Sequence, residues 1–152
     1  MNYKLFNKVQ SPNIISSSDT WYKVGLPAGE DPRLFYEIEK GFNAEIIQVL
    51  AKELNWPIYK ILKLIRLSRS TYYRRLERHR LTSQESEVIT RMIRVYEATI
   101  SMFSGDKASA LQWLEEPVVA LANEKPVELL RSESGANDII KLIHRLMYGV
   151  YI

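Results

Sequence analysis

The stretch RLSRSTYYRRLERHR, residues 66–80, carries six arginines and a histidine against one acid, Glu77. Arginines at helical spacing can do two things to a nucleic acid. Their planar forks pair bidentately with the major-groove edge of guanine, and they hold phosphate oxygens. Ser68 is a good N-cap for a helix over RSTYYRRLERH, because its hydroxyl can accept from the free N–H groups of the first turn. On that helix Tyr72 and Leu76 are four apart and continue the apolar face of Ile61 and Ile65, so they are expected to point inward. Arg69, Ser70, Tyr73, Arg74 and Glu77 are then left outward, with Arg75 and Arg78 on the flank. Arg69 and Arg74 suit bidentate contacts to guanine, and Ser70 and Tyr73 suit either bases or phosphate. Lys63, Arg66, Arg75 and Arg78 are expected to hold phosphates, which orient a protein without reading sequence. The plainer alternative is a helix that is basic only because water surrounds it.

The elements that must position these residues favour the first reading. Residues 57–79 have the pattern of two short helices joined by a tight turn, a unit that lays its second helix in the major groove. Such turns often carry glycine. Here Arg66 stands near that place, which implies either a left-handed arginine, at a cost of about 1 kcal/mol, or another turn geometry.

The charge is local. Residues 57–80 hold eight Lys or Arg and one acid, a net of +7, whereas the rest of the chain is net −4 and the whole +3. A local basic patch is the footprint of a polyanion.

Other chemistries find little support. There is no cysteine, which excludes disulfides, thiolate metal sites and cysteine nucleophiles. Two histidines, His79 and His144, lie far apart, a poor basis for a metal site. Glu115 and Glu116 precede a proline and read as a solvated helix end. No phosphate-binding loop, nucleophile elbow or zinc-protease motif occurs. We therefore expect no enzyme, no metal and no cofactor. The start lacks an apolar run, so no signal peptide is expected. No apolar segment approaches the ~18 residues of a membrane span, and a cytoplasmic protein is the expectation.

The rest of the chain reads as helices, giving an all-α fold. Residues 1–20 read as a loose tail, and RLFYEIEKGF as a short helix ended by Gly41. Asn43 caps a helix carrying Ile46, Ile47, Leu50 and Leu54, and Pro57 opens the next. Thr82 and Glu85 have the spacing of a capping box and open a long helix, roughly 84 to 103. Its wide stripe of Val88, Ile89, Met92, Ile93, Val95, Tyr96, Ile100 and Phe103 suits a central core helix, a dimer seam, or both. Gly105 ends it, Asp106 caps the next and Pro117 stops that one. Pro126 starts a short piece, and a last helix runs from about Ala136 to Tyr148, with Gly149 as its left-handed end.

The C-terminal segment ALQWLEEPVVALANEKPVELLRSESGANDIIKLIHRLMYGVYI resembles the toxin-binding domain of the Xre/MbcA/ParS bacterial antitoxins. The resemblance is carried by Ala110, Trp113–Leu114, Pro117, Ala120–Leu121, Pro126, Leu129–Leu130, Glu133, Gly135 and Tyr148–Gly149. It extends through the long helix and the helix-turn-helix, over roughly residues 40 to 152. Val118 stands where the family often has Asn, and ANEK where it often has a Gly pair. The chain is expected to divide into an N-terminal extension at 1–40, which has no counterpart in the resemblance, a helix-turn-helix bundle at 41–82, a linking helix at 83–104 and a small helical toxin-binding domain at 105–152. The resemblance implies an antitoxin that covers the active site of a cognate RES-domain toxin, an NAD-degrading enzyme, and represses its own operon by binding operator DNA. The residues nearest the toxin would be Tyr148, Gly149, Val150, Tyr151 and Ile152. Independently, the last three are large and apolar, as interface anchors are.

Among the core candidates, Trp113, Leu114, Leu129, Leu130, Ile140 and Ile143 are expected to pack within the domain. A homodimer is expected, since a dimer reads two half-sites. Two other readings stay open on the residues alone: a stand-alone regulator with a dimerising or ligand-sensing C-terminal domain, and an adaptor that does not bind DNA.

Overall fold

A computed structural model describes residues 19–149. The order is α1 (Asp19–Lys23), α2 (Arg33–Lys40), α3 (Ile46–Leu54), α4 (Ile58–Leu64), α5 (Arg69–Arg78), α6 (Ser83–Met102), α7 (Lys107–Glu115), a 3-10 turn (Val119–Leu121), α8 (Pro126–Leu129) and α9 (Glu133–Tyr148). Among the described residues there is no strand, only an isolated antiparallel bridge between Val118 and Glu124. The fold is all-α, as expected.

The long helix is the centre of the core. In α6, Ile89, Met92, Ile93, Val95, Tyr96 and Ile100 are buried, and so are Ser86, Thr90 and Thr99. A helix surrounded on most sides has to bury some polar positions. These three satisfy their hydroxyls within the helix itself, donating to the carbonyls of Thr82, Ser86 and Val95, four residues back, at 2.7–2.9 Å. Helices α1, α2, α7 and α9 all pack on α6, with α9 lying along it most extensively.

The N-terminal region departs from expectation. Thr20, read as part of a loose tail, lies in α1 and is buried; its N–H donates to the buried Glu97 carboxylate at 2.9 Å. Trp21 is buried in the main core. A lone tryptophan after SSSD has no periodicity to announce it, so the sequence pattern missed this docking. The remaining eighteen residues of that tail lie outside the described region.

Helix ends follow the sequence closely. Ser68 accepts from Thr71 N–H, Asp106 from Ser109 N–H, and Thr82 with Glu85 forms a complete capping box. Asn43 departs from this: the N-cap of α3 is Glu45, with no side-chain cap, and Asn43 instead accepts from Glu45 N–H in the turn ahead of the helix. The last helix begins earlier than expected. Ser132 caps it by accepting from Gly135 N–H, so Glu133 to Ala136 form its first turn. Gly135 is buried there because the Leu129 carbonyl fills the space a Cβ would need.

One helix exit recurs. Trp56, Leu67, Arg80 and Gly105 each donate a backbone N–H to the carbonyl five residues earlier. The residue before each one is left-handed: Asn55, Arg66, His79 and Ser104, with φ between 52° and 59°. This is the geometry by which helices commonly stop, here without glycine at the left-handed place. Arg66, at φ 56°, is the left-handed arginine that the turn between α4 and α5 implied.

Candidate functional site

The α4–turn–α5 unit presents one basic face. Its interior is apolar: Ile61, Leu62, Leu64, Ile65 and Tyr72 are buried and Leu76 is half-buried. Those residues fix which side of α5 faces water. Lys63, Arg66, Arg69, Ser70, Tyr73, Arg74 and Arg78 are all exposed. Among the described residues none of these lysine or arginine side chains forms an ion pair. Their charge is therefore directed at solvent. The Tyr73 ring, 57% exposed, leans against Tyr72, with centroids 5.8 Å apart. At the N-terminus of α5 the Ser68, Ser70 and Thr71 hydroxyls are linked at 2.9–3.2 Å, and Arg74 donates to Thr71 Oγ1 at 3.0 Å. This holds the Arg74 guanidinium near the first turn.

Arg75 departs from the set. Its guanidinium turns away from the basic face toward the N-terminus of α6. It donates from Nε and Nη2 to the Glu85 carboxylate at 3.1–3.2 Å. Side-chain exposure is only 21% for Arg75 and 11% for Glu85. The hydrogen bond to Glu85 raises the Arg75 pKa further. Position 75 is three residues beyond the buried Tyr72, so it falls between core and solvent, and a nearby acid draws it inward. Spacing could place Arg75 on the flank but could not supply that acid.

A second surface lies at the end of α9. Its buried stripe of Ala136, Ile139, Leu142 and Ile143 packs inward. Leu146, Met147 and Tyr148 emerge at 59%, 37% and 68% exposure. Tyr148 meets the His144 ring edge-on at 6.1 Å. Gly149 takes the left-handed position expected of it, at φ 64°, donating to the Arg145 carbonyl at 2.8 Å. Val150, Tyr151 and Ile152 lie outside the described residues. Beside this end is a hollow of about 540 Å³ bounded by Trp21, Arg94, Ile140, His144, Met147 and Tyr148. Of the expected core residues, Leu114, Leu130 and Ile143 are buried, and Trp113, Leu129 and Ile140 pack half-buried against them.

Polar ties join the two halves. Glu53 of α3 accepts from Lys107 of α7 at 2.7 Å and from Lys23 of α1 at 3.2 Å. Burial disfavours its charge, but the two ammonium groups outweigh that and hold its carboxyl below its usual range. Lys60 of α4 pairs with Glu115 of α7 and lies 4.3 Å from the Trp56 ring centroid. Among the described residues no group of three or more His, Cys, Asp or Glu is placed to hold a metal ion, and no helix is long and apolar enough to cross a membrane.

Residues 98–149 match the model of the antitoxin Xre/MbcA/ParS C-terminal toxin-binding domain. Over 132 residues, 86% of this chain and 89% of the other, the sequence is 36% identical to the antitoxin Xre of Yersinia enterocolitica. It is 31% identical to the antitoxin Xre of Photorhabdus laumondii over 90% of this chain and 93% of that one. A short match, 38% over 40 residues, reaches 13% of a 6-hydroxy-3-succinoylpyridine 3-monooxygenase of Pseudomonas putida.

Proposed function

From the premise that this chain belongs to the Xre antitoxins, with its toxin-binding domain at residues 98–149, we propose that it neutralises a RES-domain, NAD-degrading toxin and represses its own operon. The toxin-binding surface in this reading is the end of α9, from Tyr148 through Gly149 to Val150, Tyr151 and Ile152. What supports it is the run of large apolar side chains at 146–148, exposed at the end of a helix whose other apolar residues are buried or, like Ile140, half-buried. Such side chains exclude water from a toxin's substrate pocket without needing chemistry of their own.

Repression uses the α4–α5 unit, with α5 in the major groove. The single observation that carries this part is the row of exposed, unpaired cations at Lys63, Arg66, Arg69, Arg74 and Arg78 on the second helix of a two-helix turn and its lead-in. Arg69 and Arg74 read guanine, and Lys63, Arg66 and Arg78 hold phosphates. A homodimer places two such helices on two half-sites. The division of the chain follows: extension at 1–40, reading unit at 41–82, linking helix at 83–104 and toxin-binding unit at 105–152.

The test is co-expression of the tagged chain with the product of the adjacent gene. A copurifying neighbour that depletes NAD when expressed alone supports the RES assignment. A neighbour that copurifies and is toxic without consuming NAD moves the antitoxin to another toxin class. Arg69→Ala with Arg74→Ala is expected to abolish binding to the operon's promoter while neutralisation persists. Loss of neutralisation in that folded variant overturns the division of labour.

A further inference from the structure

The Arg75–Glu85 pair lies where α5 turns into α6. The connection between these helices is already tied down. His79 and Phe42 carbonyls accept from Ala44 and Leu81 N–H at 3.3 and 2.8 Å, and Phe42 N–H donates to Ser86 Oγ at 2.9 Å. The start of α6 is thus fixed to the segment that precedes α3. The middle of α5 has one polar link to this frame among the described residues, through Glu85. That carboxylate does two jobs. Oε2 accepts the Thr82 N–H at 2.8 Å, completing the capping box, and both oxygens take the Arg75 fork. The carboxylate cannot swing away from Arg75 without giving up the cap.

We infer that Arg75 and Glu85 are positioning residues for DNA reading: the pair sets the angle and roll of α5 against the rigid start of α6, so that Arg69, Arg74 and Tyr73 meet the groove together. Arg75 acts by holding the helix, and the phosphate contacts fall to Lys63, Arg66 and Arg78. The inference rests on the DNA-reading part of the function proposed above. Apolar packing through Tyr72 and Leu76 holds α5 in place but resists rotation weakly, because such contacts have no direction. A bidentate pair of fixed geometry does resist it.

Electrostatics alone predicts the opposite result, which makes the test decisive. Glu85 is an acid beside a basic face. Neutralising it would strengthen attraction to DNA, and releasing Arg75 as a new phosphate contact would steepen the log–log salt dependence by about 0.9. A positioning role predicts weaker binding and no steepening. Glu85→Gln suits the purpose because glutamine also completes a capping box, which preserves the start of α6.

The measurement is binding of the full chain to a duplex carrying the promoter upstream of its own gene, over a salt series, for wild type, Glu85→Gln, Arg75→Lys and the double variant. We expect each single variant to weaken binding by about tenfold, the size of an ordinary network coupling, with the salt slope unchanged. The double variant is expected to be no worse than either single. Thermal stability and toxin copurification are expected to stay near wild type. Binding equal to or tighter than wild type in Glu85→Gln, or a salt slope steeper by about one unit in that variant, overturns the inference. A wild-type chain that does not bind the promoter overturns instead the proposed DNA-reading function.

Discussion

Gly41 and Leu81 meet backbone to backbone: the Leu81 carbonyl oxygen already fills the place a Cβ on Gly41 would take. Gly41 also has φ 86°, a conformation that L side chains rarely adopt. The contact brings the end of α2 against the connection between α5 and α6. Gly41→Ala is expected to cost about 2–4 kcal/mol, combining backbone strain with overpacking. Chemical denaturation of the two proteins measures it. A variant within 1 kcal/mol of wild type would mean that the Leu81 segment gives way easily.

Arg66 combines a structural cost with a proposed binding role, and one substitution separates them. Arg66→Gly relieves the left-handed conformation, giving a stability change between zero and a gain of ~1 kcal/mol once the extra freedom of an unfolded glycine is counted. The same change removes one phosphate contact, lowering the salt slope of DNA binding by about one unit. Thermal melts and a salt titration read the two effects independently. A marked loss of stability would show that the arginine stem packs more than its exposure suggests.

Tyr72 is 4% exposed, and its hydroxyl has no hydrogen-bond partner among the described residues. A buried unsatisfied hydroxyl costs stability, so Tyr72→Phe is expected to stabilise by about 1 kcal/mol. It leaves the ring against Tyr73 in place. Destabilisation, read in urea, would reveal a partner for the hydroxyl.

Glu53 predicts an acid limb. Its folded pKa lies below the ordinary 4.5 because the Lys107 and Lys23 ammonium groups overcome the opposing effect of burial. A depressed carboxylate stabilises the fold above its unfolded pKa, and that contribution is lost as pH falls through the folded value. Glu53→Gln is therefore expected to be less stable than wild type at pH 7, with the two stability curves converging as pH falls through the lowered folded value. Urea unfolding at a series of pH values tests this, and parallel curves would count against it.

The parts that the sequence made legible depend on local chemistry. Ser68, Thr82, Glu85 and Asp106 cap their helices through contacts three residues away, so spacing alone announces them. The inward turn of Tyr72 followed from its place relative to Ile61 and Ile65. What spacing did not reveal depends on distant partners. Trp21 and Thr20 dock because Glu97, 77 residues from Thr20, waits in α6. Arg75 turns inward because the chain reverses and brings Glu85 beside it. The pattern starts the last helix at about Ala136, whereas Gly135 already lies inside the first turn of α9, where the Leu129 carbonyl leaves no room for a side chain. The left-handed ends at Asn55, His79 and Ser104 escaped notice because they use residues other than glycine.

Helix α6 carries its capping box beside the α4–α5 unit, while its far end lies within the stretch that matches the toxin-binding domain. Its buried side chains face α1 and α2 as well as α7 and α9. Neither end can lose its partners without uncovering Ile89, Ile93 or Tyr96 to water. The amides along α6 are accordingly expected to exchange with solvent as one cooperative group, at the free energy of global unfolding. A protease that engages the chain at either end would then face a single barrier, and crossing it would release the toxin and, under the proposed function, the promoter in the same event.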